Sequence, residues 1–391
     1  MSPKRILVVG HTAQLGGNEL FMTRLVPALA DDDLEMVVLL FEDGPFADLL
    51  RERGVEVHVR PLPSDVVSAG RYAAGKVTTL GRLGPGVIRH AVGLAPWLAE
   101  QRIDAVWANT FKAMATVSPA VKVRRLPLLW FLHDRVTPDY LPRRLVGPMR
   151  AAFRQVPDAV VANSRSTAAT VGGRPVTVVY PGLSADAERL RVEPVLPPVV
   201  GMLGRVSPTK GQLELVRALP DVLAAHPEVQ VRIVGSPMFG AEDYLDEVRS
   251  EAERLGVATA IDWVGFTDDP RPELDRMTVC VHAATVAEPF GQVLTEAMAR
   301  SVPIIATRGG GASEVVTPVG AEPRGELIER GDVPGLRNAL LRVLGDVPAA
   351  QRRADAVQPA VVAEYSLDNS VRTMREVLRA LISGGRHDRQ R

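Results

Sequence analysis

"TVCVHAATVAEPFGQVLTEAMARSVPIIAT", Thr278–Thr307, runs from one apolar stretch through a loop and a helix-forming stretch into a second apolar stretch. Both apolar runs, "TVCVHAA" and "VPIIAT", are continuous rather than alternating, the pattern of strands buried on two faces. A helix between two such strands is a crossover between parallel neighbours. Glu-Pro opens the loop at Glu288, and a second Glu follows at Glu296 inside the helical run.

The same order recurs in both directions from this passage. Upstream, strands are expected at "RILVVG", "LEMVVLLF", "VEVHVRP", "IDAVWAN", "LLWFLH", "AVVANS" and "VTVVYPG", with helices between them such as Glu19–Ala30 and Ala47–Arg53. Nearer by, they are expected at "PVVGMLG", "VQVRIVG" and "AIDWVG", with helices at Leu213–Ala225, Tyr244–Leu255 and Val293–Ala299. The alternation breaks once, in the charged and Pro-rich "LSADAERLRVEPVLPPVV", Leu183–Val200. We therefore expect an α/β chain of two Rossmann-like, doubly wound domains facing across a deep cleft. The expected bounds are 1–184, a linker 185–198, 199–365, and a C-terminal segment 366–391. Residues Asp65–Glu100 are less regular: Val66, Ala73, Val77 and Leu80 have helical spacing, interrupted by glycines. There Arg71, Lys76, Arg82 and Arg89 make either a solvated helical face or a basic face near a substrate.

Composition narrows the class. A chain of 391 residues exceeds one ordinary core, and 46% hydrophobic content supplies two. Lys+Arg and Asp+Glu are 46 each, so no basic excess points to nucleic acid. The single cysteine, Cys280, excludes an internal disulfide and reads as a small core residue, with a reducing, cytoplasmic setting expected. The apolar run Ile6–Val9 is too short for a signal segment and reads as a strand. No stretch reaches transmembrane length, and peripheral membrane contact stays open.

In open α/β sheets ligands sit beyond the carboxyl ends of the strands, so the loops there carry the chemistry. Pro289 disfavours helical backbone at Glu288, which is expected extended, with helix starting near Gly291. The first amides of that helix attract anions. One carboxylate before it and one along its side suit hydroxyl-bearing rings on either side of a diphosphate, as in a nucleotide sugar. Taken singly, Glu296 also reads as a solvated helix residue and Glu288 as an N-terminal helix charge. "GRVSPTKG", Gly204–Gly211, places Arg205 and Lys210 around a Ser-Pro turn, where they would clamp phosphate oxygens or simply line a solvated turn. "GHTAQLGGNEL" offers Gly16 and Gly17 for close backbone approach and Asn18 as a helix cap, without dinucleotide-fingerprint spacing. "FLHD" sets His133 and Asp134 at a strand end, in a structural or a functional role; Asn163 and Ser164 are weaker cases of the same kind. Asp31-Asp32-Asp33 falls on the amino side of the sheet and reads as a solvated turn. The histidines lack zinc-ligand spacing, and no Walker A or nucleophile-elbow sequence occurs.

Together "EPFGQVLTEAMA" (E-x₇-E), "GRVSPTKG", "RGGGASEVV", "LGVATAIDWVGFTDD", "FLHD" and the Gly-Gly loop resemble the retaining GT-B glycosyltransferases of family 4 (GT4). They occur in the family's order over nearly the whole chain. The resemblance implies an acceptor domain, then a donor domain, with a final helix within Ser366–Ile382 returning to the first. It implies that Arg205 and Lys210 hold the donor diphosphate, that Glu288 binds sugar hydroxyls and Glu296 the ribose. Phe290, Gly291, Gln292 and Val293 would line the sugar and phosphate, Gly16 and Gly17 would approach the phosphate, and His133 would contact the sugar near the reacting centre. "YPGL", Tyr180–Leu183, and "AEPRGELIERGD" depart from the family's usual pattern. No cofactor or metal is expected beyond the nucleotide-sugar donor, UDP-linked before GDP-linked, and the partner is an unidentified hydroxyl acceptor. The Ala-, Arg- and Val-rich composition fits a GC-rich genome such as an actinobacterium's, and with it a specialised-metabolite or cell-envelope acceptor. A GT-B epimerase or hydrolase, or a sugar-nucleotide binder without transfer, is the alternative; donor hydrolysis with and without an acceptor source separates them.

Overall fold

The computed structural model describes residues 2–62, 92–184, 186–189, 195–237 and 240–387. They divide into two compact units, one running to Gly182 and joined by the segment from Leu367 onward, the other Leu183–Ser366. The basic candidates Arg71, Lys76, Arg82 and Arg89 lie outside the described residues.

The first unit is a seven-stranded sheet in the order β3-β2-β1-β4-β5-β6-β7. Its strands are β1 Lys4–Gly10, β2 Leu34–Leu40, β3 Glu56–Val59, β4 Ala105–Ala108, β5 Leu128–Leu132, β6 Ala159–Ala162 and β7 Thr177–Val178. Every pairing is parallel, with Ile6 opposite both Met36 of β2 and Ala105 of β4. Period-2 alternation still operates inside the apolar runs. Leu7 and Val9 feed one apolar layer, while Ile6 and Val8 feed the layer on the opposite face. Two buried faces leave no position for a polar residue, which is why these strands read as continuous.

The helix Gly17–Leu29 buries Phe21, Met22, Leu25, Val26 and Leu29. It begins before Asn18, contrary to the expectation that Asn18 caps it. Gly16 is the N-cap, and the Asn18 side chain donates to Glu19 Oε1 at 3.0 Å instead. The terminal helix Leu367–His387 adds Val371, Met374, Leu378 and Leu381 to the apolar layer that holds Ile6 and Val8. Their spacing of three, four and three residues keeps them on one stripe. Gly182 meets this helix so closely that a Cβ there would fall 2.5 Å from the Leu367 Cα.

The second unit is a six-stranded parallel sheet in the order β10-β9-β8-β11-β12-β13. Its strands are β8 Val199–Leu203, β9 Gln230–Val234, β10 Ile261–Gly265, β11 Val279–His282, β12 Ile304–Thr307 and β13 Glu326–Ile328. β13 has three residues and no apolar run of its own, so it was not among the expected strands. Residues of the stretch expected as a linker pack within this unit: Arg189 N donates to Ala299 O at 3.0 Å, and Arg300 Nη1 donates to Ala187 O at 3.1 Å. Cys280 is fully buried, and burial, with the nearby Glu296 carboxylate, pushes its thiol up to about 12, as a core residue requires.

Candidate functional site

In each sheet the strand order reverses once, between β1 and β4 in the first unit and between β8 and β11 in the second. At such a switch point the two connections leave in opposite directions and open a crevice beyond the strand ends.

In the second unit the loop after β8 is built to present Lys210. Gln212, fully buried, donates its Nε2 to Arg205 O at 2.9 Å and accepts from Ser207 N at 3.4 Å. Lys210 N closes a turn on Ser207 O at 2.9 Å. The loop after β11 binds it from the other side, since Thr285 N donates to Thr209 O at 3.1 Å and Thr285 Oγ1 to Pro208 O at 2.9 Å. Gly211 caps the following helix with φ +86°, and a Cβ there would stand 1.9 Å from Ala283 O. Only glycine meets both conditions. Arg205 is exposed at the mouth of the same loop.

Glu288 lies beyond β11, in extended backbone bridged to Gly310, with Gly311 N donating to Glu288 O at 2.7 Å. Its side chain meets Lys210, with Nζ 2.7 Å from Oε2, and the same oxygen lies 3.3 Å from His282 Nε2. Burial works to raise this carboxyl, but the Lys210 ammonium and the His282 contact outweigh it and hold it well below the usual carboxylate range. Oε1 makes no hydrogen bond among the described residues. The carboxylate is thus charged, held by one oxygen and open at the other, an acceptor suited to a hydroxyl.

The helix Gln292–Ala299 starts directly afterwards, capped by Gly291 at φ +95°. Gln292 and Val293, as its first residues, have amides without intrahelical partners. Phe290 is buried and packs edge-on against Tyr365, ring centres 5.7 Å apart, so its side chain is structural and only its backbone can face a ligand. Glu296 is half-buried along the helix.

In the first unit His133 follows β5. Its Nε2 donates to Asn109 Oδ1 at 2.9 Å, and Asn109 Nδ2 reaches Asn18 Oδ1 at 3.4 Å. Burial pushes His133 down to about 3, so the imidazole is neutral and a poor base. Asn163 Nδ2 donates to His133 O at 3.0 Å, and Ser164 Oγ caps the helix Arg165–Ala168 through Thr167 N at 2.9 Å, which are structural tasks. Gly16 has ordinary extended backbone, φ −133°, and a Cβ there would meet only the tip of the flexible Glu19 side chain, Oε2 at 2.9 Å, so neither backbone conformation nor crowding demands glycine at this position. Asp31 and Asp33 pair with Arg379, and Asp31 with Arg375, from the terminal helix. Among the described residues no three His, Cys, Asp or Glu side chains gather as a metal ion would need, and no helix is long and apolar enough to cross a membrane.

The structure therefore unites Lys210 and Glu288, and adds two residues that the sequence reading passed over, Gln212 and His282. The signal for Gln212 is a polar residue at the first position of a helix, directly after the Gly of the cation-bearing loop; for His282 it is an imidazole at the last position of a buried strand.

The fold is that of the GT-B class. A crystal structure of Anabaena HepE in complex with UDP and glucose matches with a TM-score of 0.81 at 26% identity, covering 96% of this chain and 99% of that one. Residues 15–187 match the model for Glycosyltransferase Family 4, and residues 188–358 that for Glycosyl transferases group 1. The chain belongs to glycosyltransferase family 4. A phosphatidyl-myo-inositol mannosyltransferase of Mycolicibacterium smegmatis is 29% identical over 346 residues, 83% of this chain and 85% of the relative. A GDP-mannose-dependent monoacylated alpha-(1-6)-phosphatidylinositol monomannoside mannosyltransferase of Corynebacterium glutamicum is 32% identical over 182 residues, 43% of this chain. The chain spans about half the length of the first curated relatives it matches, 44% in that case.

Proposed function

We propose that this chain is a retaining glycosyltransferase. It moves a sugar from a nucleotide-diphosphate donor to an acceptor hydroxyl without a divalent metal. The observation that carries the reading is the Lys210–Glu288 pair across the β8/β11 switch point. It sets a cation and an open carboxylate oxygen side by side, next to a helix start whose amides attract anions. In this reading Lys210 and Arg205 stabilise the departing diphosphate. Glu288 Oε1 orients the sugar by a hydroxyl, Glu296 holds the ribose, and the neutral His133 contacts the sugar without serving as base. The C1–O bond to phosphate breaks, and the acceptor oxygen bonds to C1 on the same face. The departing phosphate oxygen takes the acceptor's proton. Family membership supports the reaction class. The relatives' names speak for both nucleotides, with UDP in the HepE complex and GDP-mannose in the Corynebacterium enzyme. We favour UDP on the closer whole-chain fit of HepE, and an acceptor in cell-envelope glycan or specialised-metabolite synthesis.

Thermal melting with UDP-glucose and GDP-mannose, followed by nucleotide release with and without cell extract, tests this. A bound donor at 100 times its Kd adds about 2.7 kcal/mol. Extract-dependent release that survives excess EDTA, and a product whose NMR shows the donor's anomeric configuration, is the expected result. Release indifferent to extract points to a hydrolase or epimerase. An inverted product, or Mg²⁺ rescue after EDTA, overturns the mechanism.

A further inference from the structure

Lys210 has two claims on it. In the proposed reaction it faces a diphosphate, yet it is also the closest partner of Glu288, at 2.7 Å. Its ammonium rides on a flexible four-carbon stem and can turn from one anion to the other. When it does, the carboxylate needs a second support that stays in place.

His282 is placed to give it. The residue closes β11 and pairs in register with Ala306 of β12, so its backbone belongs to the sheet rather than to a loop. It is only 5% exposed. Its Nε2 lies 3.3 Å from Glu288 Oε2, at the long end of hydrogen-bond range. Its Nδ1 is buried without a hydrogen-bond partner. A buried polar atom with no partner loses its hydration for nothing in return. Val279, Cys280 and Val281, the other residues of the strand, avoid that cost by carrying no such atom. An apolar residue at 282 would avoid it too. The contact to Glu288 is the single hydrogen bond that the imidazole makes among the described residues. Because a carboxylate only accepts, Nε2 is the donor in this contact.

We propose that His282 is a positioning residue of the donor site. It holds the Glu288 carboxylate by Oε2 while Lys210 turns to phosphate, and so keeps Oε1 aimed at the sugar hydroxyl. The proposal rests on the nucleotide-sugar reading above. Glu288 is then fixed twice. Its main chain is tied to Gly310 and Gly311, and its side chain to a strand-borne imidazole; groups on strands hold geometry better than groups on loops. His282 touches neither diphosphate nor nucleoside in this arrangement, so its effect belongs to turnover and not to nucleotide affinity.

The test compares wild type, His282→Ala and His282→Gln, using whichever of UDP-glucose and GDP-mannose raises the melting temperature. Measured are kcat, KM, and the Kd of the matching free UDP or GDP. The glutamine amide reaches roughly where Nε2 stood and can donate to the same oxygen. His282→Ala is expected to lower kcat about 10- to 100-fold, the scale of a small misplacement at a reacting centre, with nucleotide Kd within about twofold. His282→Gln should recover most of the turnover. Wild-type kcat in His282→Ala, or loss of nucleotide affinity in step with turnover, overturns the proposal. A second readout needs no turnover. ¹⁵N NMR of the imidazole should show the Nε2–H tautomer, with a resonance that moves in Glu288→Ala. An Nδ1–H tautomer, or a resonance indifferent to Glu288→Ala, overturns the contact itself. If wild type turns over neither donor, the functional reading fails while the NMR experiment still decides the contact.

Discussion

Gly310 presses against Glu288 so tightly that a Cβ on the glycine would stand 1.9 Å from the Glu288 carbonyl oxygen. The same glycine has φ +65°, where an L side chain is strained. Gly310→Ala should therefore lower stability by more than the conformational cost alone, about 1–2 kcal/mol. The contact falls on the backbone of a candidate site residue, so turnover should fall further than the lost stability accounts for. Urea unfolding and kcat on the same samples check this; unchanged values in both would show that the loop gives way freely.

The Lys210–Glu288 pair makes a prediction about charge compensation. Lys210→Met leaves a half-buried carboxylate short of its main partner, whereas Lys210→Met with Glu288→Gln removes both charges. Breaking a buried pair by one partner costs about 3–5 kcal/mol, and removing both costs much less; at this partly open site the single variant should lie below that range. The double variant is expected to be more stable than Lys210→Met alone, though equally inactive. A double variant no more stable than the single one would show that the pair has no energetic coupling.

The two glutamates should separate in kinetics. Glu288→Gln is expected to lower kcat with little change in nucleotide affinity, because in the proposed arrangement its open oxygen binds a sugar hydroxyl. Glu296→Gln is expected to weaken nucleotide binding, because ribose lies away from the bond that breaks. Calorimetric Kd for free nucleotide beside steady-state kcat decides it. If both variants lost stability alone, both residues would be structural.

His133 carries a pH signature. Its folded value is about 3, below the ordinary imidazole value of 6.5, so the unfolded chain binds the proton more readily between those limits. Its contribution to stability is complete above pH 6.5 and is lost as pH falls toward 3, with a slope of at most about 1.4 kcal/mol per pH unit. Glu288, also depressed, acts in a lower window, beginning near the ordinary carboxyl value of 4.5. Between pH 6.5 and 5 the unfolding free energy of wild type should therefore fall more steeply than that of His133→Gln. Parallel curves would mean that His133 titrates alike in the folded and unfolded chain.

Much of the fold could be read because burial on two faces writes itself into the strands. "RILVVG" and "VPIIAT" are apolar at every inward position of both layers, and their short length and β-branched residues favour a strand over a buried helix segment. β13 escaped because "ELI" is short and begins with a charge, so only its pairing with β12 makes it a strand. Lys210 and Glu288 could be suspected from residue type and position after a strand. Their meeting depends on β8 and β11 being neighbours, which local pattern does not reveal. His282 was hidden by its setting, since inside "TVCVHAA" an imidazole reads as one more core residue. Asn18 was misplaced because a good capping residue type stood two residues past the actual cap, Gly16, with Glu19 and Asn109 offering its side chain other partners.

The terminal helix fixes an order of assembly. Val371, Met374, Leu378 and Leu381 complete an apolar layer whose other members, such as Ile6, Phe21 and Leu25, leave the ribosome first. The second unit is contiguous, and all of its residues emerge before those four. The second unit is therefore expected to mature before the first, the reverse of the usual amino-terminal-first order. The first unit keeps an unsealed apolar stripe until the stretch Val371–Leu381 is available to cover it. Chains truncated after Ser366 and freed from the ribosome should show a protease-resistant second unit and a labile first one, and restoring Leu367–His387 should protect both.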